Sequence, residues 1–160
     1  MNTGDDLLFD RGEDTPEHLR SQFSRLVGMT AVQSGRVAGG ALRAVGAHRD
    51  HFLVLADLAE FGPASQATLS GRTRIYKSDL VAVLNDLEAG AWIRRAPDPA
   101  DKRRNVITVT PAGRRRLAEL ARVLEEVNER ILAPLAPDER AQLFALLGRV
   151  NAHLADQERG

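Results

Sequence analysis

Apolar residues recur at three- and four-residue intervals over most of this chain, and proline, glycine or a short polar residue punctuates each run. The first run, Leu19, Phe23, Leu26, Val27, Thr30 and Ala31, continues weakly through Val37, Ala41, Leu42 and Val45. That spacing predicts one long helix, loosened by Gly35, Gly39 and Gly40. Thr15 is its expected cap, with Pro16 at the first helical position, where a missing N–H costs nothing. A second helix, from about Asp50 to Phe61, carries Phe52, Leu55, Ala56, Leu58 and Ala59 and stops at Gly62-Pro63. Two short helical patterns follow, roughly Ser65 to Arg72 and Tyr76 to Ala89, with only a few residues between them.

The period then changes. Trp92 to Arg95 and Asn105 to Thr110 are short and rich in β-formers, and Ala96-Pro97-Asp98-Pro99-Ala100-Asp101 supplies turn chemistry between them. They predict a hairpin with an exposed, arginine-bearing tip. Thr110-Pro111 caps a long helix striped by Leu117, Leu120, Leu124, Val127, Ile131 and Leu132, which Pro134 and Pro137 end. A last helix from about Asp138 carries Leu143, Leu146, Leu147, Val150 and Leu154. The first and last helices present more apolar face than the small central unit can cover, so a homodimer is expected.

Two short helices joined by a tight turn and followed by a basic-tipped hairpin are the parts of a winged helix-turn-helix. The expected fold is therefore mainly α with a small β wing, a winged lobe flanked by N- and C-terminal dimerisation helices. The corresponding divisions are an acidic flexible tail at 1–16, a dimerisation helix at 17–47, the DNA-binding region at 48–113 and dimerisation helices at 114–160. Within the helix pair, Ala67, Leu69, Ile75, Leu80, Val83, Leu84 and Leu87 fall where the helices pack on each other and on the core. Tyr76, Lys77, Ser78, Asp79, Ala82 and Asn85 are left facing outward. Lys77 and Ser78 can donate to phosphates, and the amide of Asn85 matches the edge of adenine.

Lys plus Arg and Asp plus Glu number 22 each, so whole-chain charge argues for no anionic partner. Its distribution does. The first twenty residues are acidic, whereas Arg72 to Arg116 holds eleven basic residues against five acidic ones, a localised footprint suited to phosphate. The absence of cysteine excludes disulfides, thiolate metal sites and thiol redox sensing. No run approaches the roughly 20 apolar residues of a membrane span, and the acidic start is unlike a signal peptide, so a cytoplasmic location and no membrane partner are expected.

Ser65-Gln66-Ala67-Thr68-Leu69, then Ser78 to Glu88, and above all Asp101-Lys102-Arg103-Arg104-Asn105-Val106-Ile107-Thr108-Val109-Thr110-Pro111-Ala112-Gly113 resemble the MarR (multiple antibiotic resistance regulator) family. The last segment fits that family's wing pattern of D-x-R, an aliphatic residue, an aliphatic-Thr pair and a glycine. The resemblance runs in helix order from about Glu17 to the C-terminus. It implies a dimer of winged lobes joined by interleaved first and last helices, a transcriptional repressor that binds pseudo-palindromic duplex DNA and is released by a small ligand. Carried over by position, Arg103 is the arginine that enters the minor groove, Asp101 the acid that braces it, and Arg104 a second phosphate contact. A guanidinium suits a narrow minor groove because negative potential is focused there. The chain departs from the pattern at Arg74, where the turn commonly has glycine, and at Ala82, where a basic residue is frequent. Gly90-Ala91 places a further glycine one residue early. Arg74 nonetheless stays with Tyr76, Lys77, Ser78, Asp79 and Asn85 in the candidate DNA-contacting set.

Other chemistries have less support in the residues. No P-loop, no G-x-S-x-G and no paired carboxylates suggest an enzyme, and no cofactor is expected. His48 and His51, with Asp50, His18 or His153, offer nitrogen and oxygen ligands, but a spacing of three near a helix start fits capping equally well, and no metal is expected. The rival reading keeps the fold without the DNA, as a winged-helix protein-protein module, which would have little use for Arg103 and Arg104.

Overall fold

The computed structural model describes residues 15–158; the acidic tail expected at 1–16 lies almost wholly outside them. Seven helices and three strands occur among the described residues: α1 (Glu17–Arg20), α2 (Phe23–Ala44), α3 (Arg49–Phe61), β1 (Ala64–Ser65), α4 (Gln66–Thr73), α5 (Lys77–Ala89), β2 (Ile93–Pro97), β3 (Asn105–Val109), α6 (Pro111–Ile131) and α7 (Pro137–Gln157).

The core is a lobe in which α3, α4 and α5 pack beside the sheet and α6 lies along α2 and α3. Val54, Leu55 and Leu58 of α3, Leu69 of α4, Ile93 and Ile107 of the sheet and Leu120 of α6 are all buried in it. Helix α5 contributes Leu80, Val83, Leu84 and Leu87, a 0, 3, 4, 7 spacing that lines up one face. Each such burial is worth about 1.5–3 kcal/mol, so the inner face fixes the rotation of α5 and thereby which residues it turns outward.

The caps follow local chemistry. Ser65 accepts from the Thr68 N–H at 3.2 Å to start α4, and Thr110 accepts from the Gly113 N–H at 3.0 Å with Pro111 at the first position of α6. Arg140 closes the corner between α6 and α7, donating to the carbonyls of Leu132 and Leu135 and pairing with Glu129 at 2.7 Å.

Four expectations need correction. Thr15 caps nothing: Pro16 occupies the N-cap position, and the buried Thr15 instead offers its carbonyl to Arg20 Nε at 2.6 Å. The single long first helix is broken at Ser21-Gln22 into α1 and α2, while Gly35, Gly39 and Gly40 sit inside continuous helix. The hairpin is the larger part of a three-stranded antiparallel sheet of order β1-β3-β2, because Ala64 and Ser65 pair with Ile107 and Val106. Ala67, expected in the helix-helix packing, is exposed on the outer side of α4.

Helices α1 and α7 bury no residue, and α2 buries only Leu42. Phe23 and Leu26 of α2 and Phe144 and Leu154 of α7 are each more than half exposed.

Candidate nucleic-acid interface

The turn between α4 and α5 is built to change direction within three residues. Thr73 donates its hydroxyl to the Leu69 carbonyl at 2.6 Å, Ser70 donates to the Ile75 carbonyl at 2.7 Å, and Ile75 is buried as the hinge pin. Arg74 between them adopts φ 58°, ψ 21°, the left-handed conformation that glycine takes at least cost. The Arg74 side chain is exposed beside the start of α5. From there Tyr76, just before α5, and Lys77, Ser78, Asp79, Ala82 and Asn85 along it are all exposed, with Ser78, Ala82 and Asn85 opposite the buried stripe and Lys77 and Asp79 on its flanks. Asp79 lies in the first turn, where an acid complements the helix dipole, and Ser78 Oγ lies 3.5 Å from its carboxylate.

The wing loop is closed by its own hydrogen bonds. Asp98 N–H donates to the Arg104 carbonyl at 2.7 Å and Arg104 N–H to the Asp101 carbonyl at 2.9 Å, while the Asp98 carboxylate accepts from Ala100 N–H at 2.9 Å. Asp101 steadies Arg103 through the main chain: its Oδ1 accepts the Arg103 N–H at 3.0 Å, and its Oδ2 lies 3.7 Å from Arg104 Nε. The Arg103 side chain is exposed at the tip. Between the wing and the start of α4, Arg95, Arg103 and Arg104 line a cleft of about 390 Å³ with Ser65, Gln66 and Asn105.

Arg95 and Glu88 were not singled out in the sequence. Arg95, on β2, reaches back to α5, donating from Nε to Glu88 Oε2 at 2.9 Å and from Nη2 to Asn85 Oδ1 at 2.8 Å. This contact holds the Glu88 carboxyl below the usual carboxylate range, hydrogen bonding to Arg95 being the largest cause. Because a guanidinium only donates, the Asn85 carbonyl faces Arg95 and its NH₂ is left to point outward. In this arrangement Asn85 offers donors suited to guanine O6, a purine N7 or thymine O4, and the bidentate match to adenine has to share the carbonyl's second lone pair with the bond from Arg95. Neither residue repeats with any period, and the six residues between them cross from helix to strand, so no pattern in the chain marks the pair.

Two further features adjoin this face. Buried His51 of α3 lies 3.2 Å from Asp86 Oδ2 of α5, with His48 stacked at a ring-centroid distance of 3.6 Å. Burial, and then the neighbouring His48, hold the His51 imidazole below its ordinary pKa against the opposing pull of Asp86. Among the described residues, His48, His51 and Asp86 form a grouping with metal-ligand chemistry; Asp50, His18 and His153 do not join it. On the other side of α3, a cavity of about 480 Å³ lies between α2, α3 and α6, walled by Leu42, Phe52, Leu53 and Leu124 and given polarity by Arg49 and Asn128.

A family model described as MarR family matches residues 45–104, the stretch from the end of α2 to the wing tip. The HTH-type transcriptional regulator PecS of Dickeya dadantii is 38% identical over 111 residues, covering 66% of this chain and 65% of PecS, so the chain spans just under two thirds of that relative. The uncharacterized HTH-type transcriptional regulator YxaD of Bacillus subtilis is 32% identical over 108 residues, 68% of this chain and 76% of YxaD. Among solved structures, a mutant MarR from E. coli complexed with operator DNA superposes with a TM-score of 0.67 at 23% identity, covering 79% of this chain and 91% of that one. At that identity the likeness concerns the fold.

Proposed function

This chain belongs to the MarR family, and from that premise we propose that it binds duplex DNA as a homodimeric transcriptional repressor, acting by binding rather than catalysis. The observation that carries the reading is the exposure of the outward α5 residues and of Arg103 on the wing, joined through Arg95, which bonds Asn85 of α5 and lines one cleft with Arg103. Helix α5 enters the major groove, where Lys77 and Ser78 position it on phosphates and Asn85 meets a base edge. Arg103 reaches the flanking minor groove, held on course by the grip of Asp101 on its main-chain N–H. Arg74, Tyr76 and Arg104 complete the backbone contacts, and Asp79 either orients Ser78 or accepts from a cytosine amine. Such work on genomic DNA belongs to the cytoplasm, in keeping with the absence, among the described residues, of any helix long and apolar enough to cross a membrane.

A dimer supplies two such faces for a pseudo-palindromic operator, with recognition helices about 34 Å apart on one side of the duplex. The cavity between α2, α3 and α6 supports release by a small ligand: its apolar walls and the single guanidinium of Arg49 favour a compact organic anion. Because the cavity lies where the lobe meets the N-terminal helix, an occupant that prefers another lobe spacing weakens DNA binding. A coupling of about 1–3 kcal/mol corresponds to about 5- to 150-fold.

The test is retention of genomic DNA fragments by the purified protein at two salt concentrations, wild type beside Arg103→Ala. Sequence-selective retention that weakens steeply with salt and drops in the variant is expected, with the salt slope reduced by about one. If no fragment is enriched and the variant behaves as wild type, the protein-interaction module takes the place of the DNA reading.

A further inference from the structure

His48 precedes α3 as its N-cap residue, His51 stands one turn into it, and Asp86 belongs to α5. One potential ligand atom from each of the three lies within 4.8 Å of the other two. We propose that this cluster is a binding site for a borderline divalent transition-metal ion, zinc, cobalt or nickel, which clamps the start of α3 to α5.

The donor set selects the ion. Two imidazoles and one carboxylate suit borderline divalent metals; hard cations prefer all-oxygen cages and soft ones prefer sulfur, which this chain lacks in cysteine form. A tetrahedral zinc ion with ligands at about 2.1 Å needs donor atoms about 3.4 Å apart. His51 and Asp86 already stand at 3.2 Å, and closing the rest requires side-chain rotation of His48 and Asp86, both exposed. Three protein ligands leave the remaining coordination position to solvent.

The protons also work out. His51 Nδ1 accepts the His48 N–H at a long 3.3 Å, which leaves the Nε2 proton directed at Asp86. Binding an ion at Nε2 moves that proton to Nδ1 and gives up the weak cap, with no net change in the charge of the ring. Burial favours the neutral imidazole, the form that ligates. The positive charge of Arg116, itself paired with Glu119 at 2.7 Å, acts on His51 in the same direction as burial.

This site is independent of the DNA reading, and so is its test. The tag-free, metal-stripped full chain is titrated with Co²⁺ by visible absorption and with Zn²⁺ by calorimetry, beside His48→Ala, Asp86→Ala and His153→Ala. The expected result is one ion per chain, a cobalt spectrum of low coordination number, and at least tenfold weaker binding in the first two variants with none in the third. Nitrogen-15 spectra should show the His51 tautomer switching from Nε2–H to Nδ1–H as zinc is added. His48 and Asp86 are exposed, so their loss leaves the lobe folded, as thermal melting of the apo forms would verify. Absence of binding at millimolar metal, or binding that His48→Ala and Asp86→Ala leave unchanged, would overturn the proposal.

Discussion

At the junction of α5 and β2 the chain carries Gly90-Ala91, and the two residues do opposite jobs from those their types suggest. Gly90 has an ordinary helical φ of −78°, whereas Ala91 takes the left-handed φ of 58°. Glycine at position 90 serves space: a Cβ there would lie 2.6 Å from the Trp92 ring. Ala91→Gly relieves left-handed strain of about 1–2 kcal/mol and adds unfolded-state freedom of about 0.5–1 kcal/mol, so a net gain of about 0.5–1 kcal/mol is expected. Urea unfolding followed by the fluorescence of Trp92, the chain's one tryptophan, measures it; a lower midpoint in the variant would refute the strain argument. The displaced glycine was legible in the sequence, but its reason was not, because the ring that fills the space is brought there by the strand pairing of β2 with β3. Arg74 differs: its left-handed backbone leaves a long cation at the surface, where glycine would relax the turn and remove a charge from the candidate interface.

Among the elements, those with a long period were legible and those held by a few tertiary contacts were not. Helices α3 to α7 follow from repeated apolar spacing and from Ser65, Thr110 and the prolines at their ends. Strand β1 has two residues, too few for any period, and exists because β3 has an open edge beside Ala64. The break at Ser21-Gln22 falls in a stretch whose apolar spacing continues across it. The tie between α5 and β2 through Glu88, Arg95 and Asn85 was equally hidden, and it carries a prediction that separates its structural role from its recognition role. Glu88 has its carboxyl pKa depressed in the folded state, so the stabilisation from Arg95 is present above the ordinary carboxylate pKa and is lost as pH falls through the folded value. Arg95→Ala should therefore lower the urea midpoint at neutral pH, with the gap to wild type narrowing below about pH 4. On a selected operator, the same variant should broaden the base preference at one position in each half-site, because Asn85 is no longer held with its NH₂ outward. An unchanged preference would mean that Asn85 does not read that base.

For the whole molecule the governing quantity is apolar surface left uncovered. The lobe closes its own core, yet Phe23 and Leu26 at one end of the chain and Phe144, Leu147 and Leu154 at the other remain exposed on helices that bury almost nothing within the chain. An isolated α7 of this kind has little to hold it against the lobe, so a second copy of the same helices is the economical cover, since each chain then covers the other's excess by one symmetric contact. The double variant Phe144→Asp, Leu154→Asp changes side chains remote from the lobe core and should sediment as a monomer while its Trp92 emission stays native. DNA binding provides the second readout. A dimer engages two half-sites at once, and losing that linkage should weaken operator binding by about 100-fold or more, while a single half-site retains the weak affinity of one lobe. If the double variant sediments as wild type, these helices are covered by something other than a second copy. If it is monomeric and binds the full operator undiminished, the two-lobe geometry is not what selects the DNA.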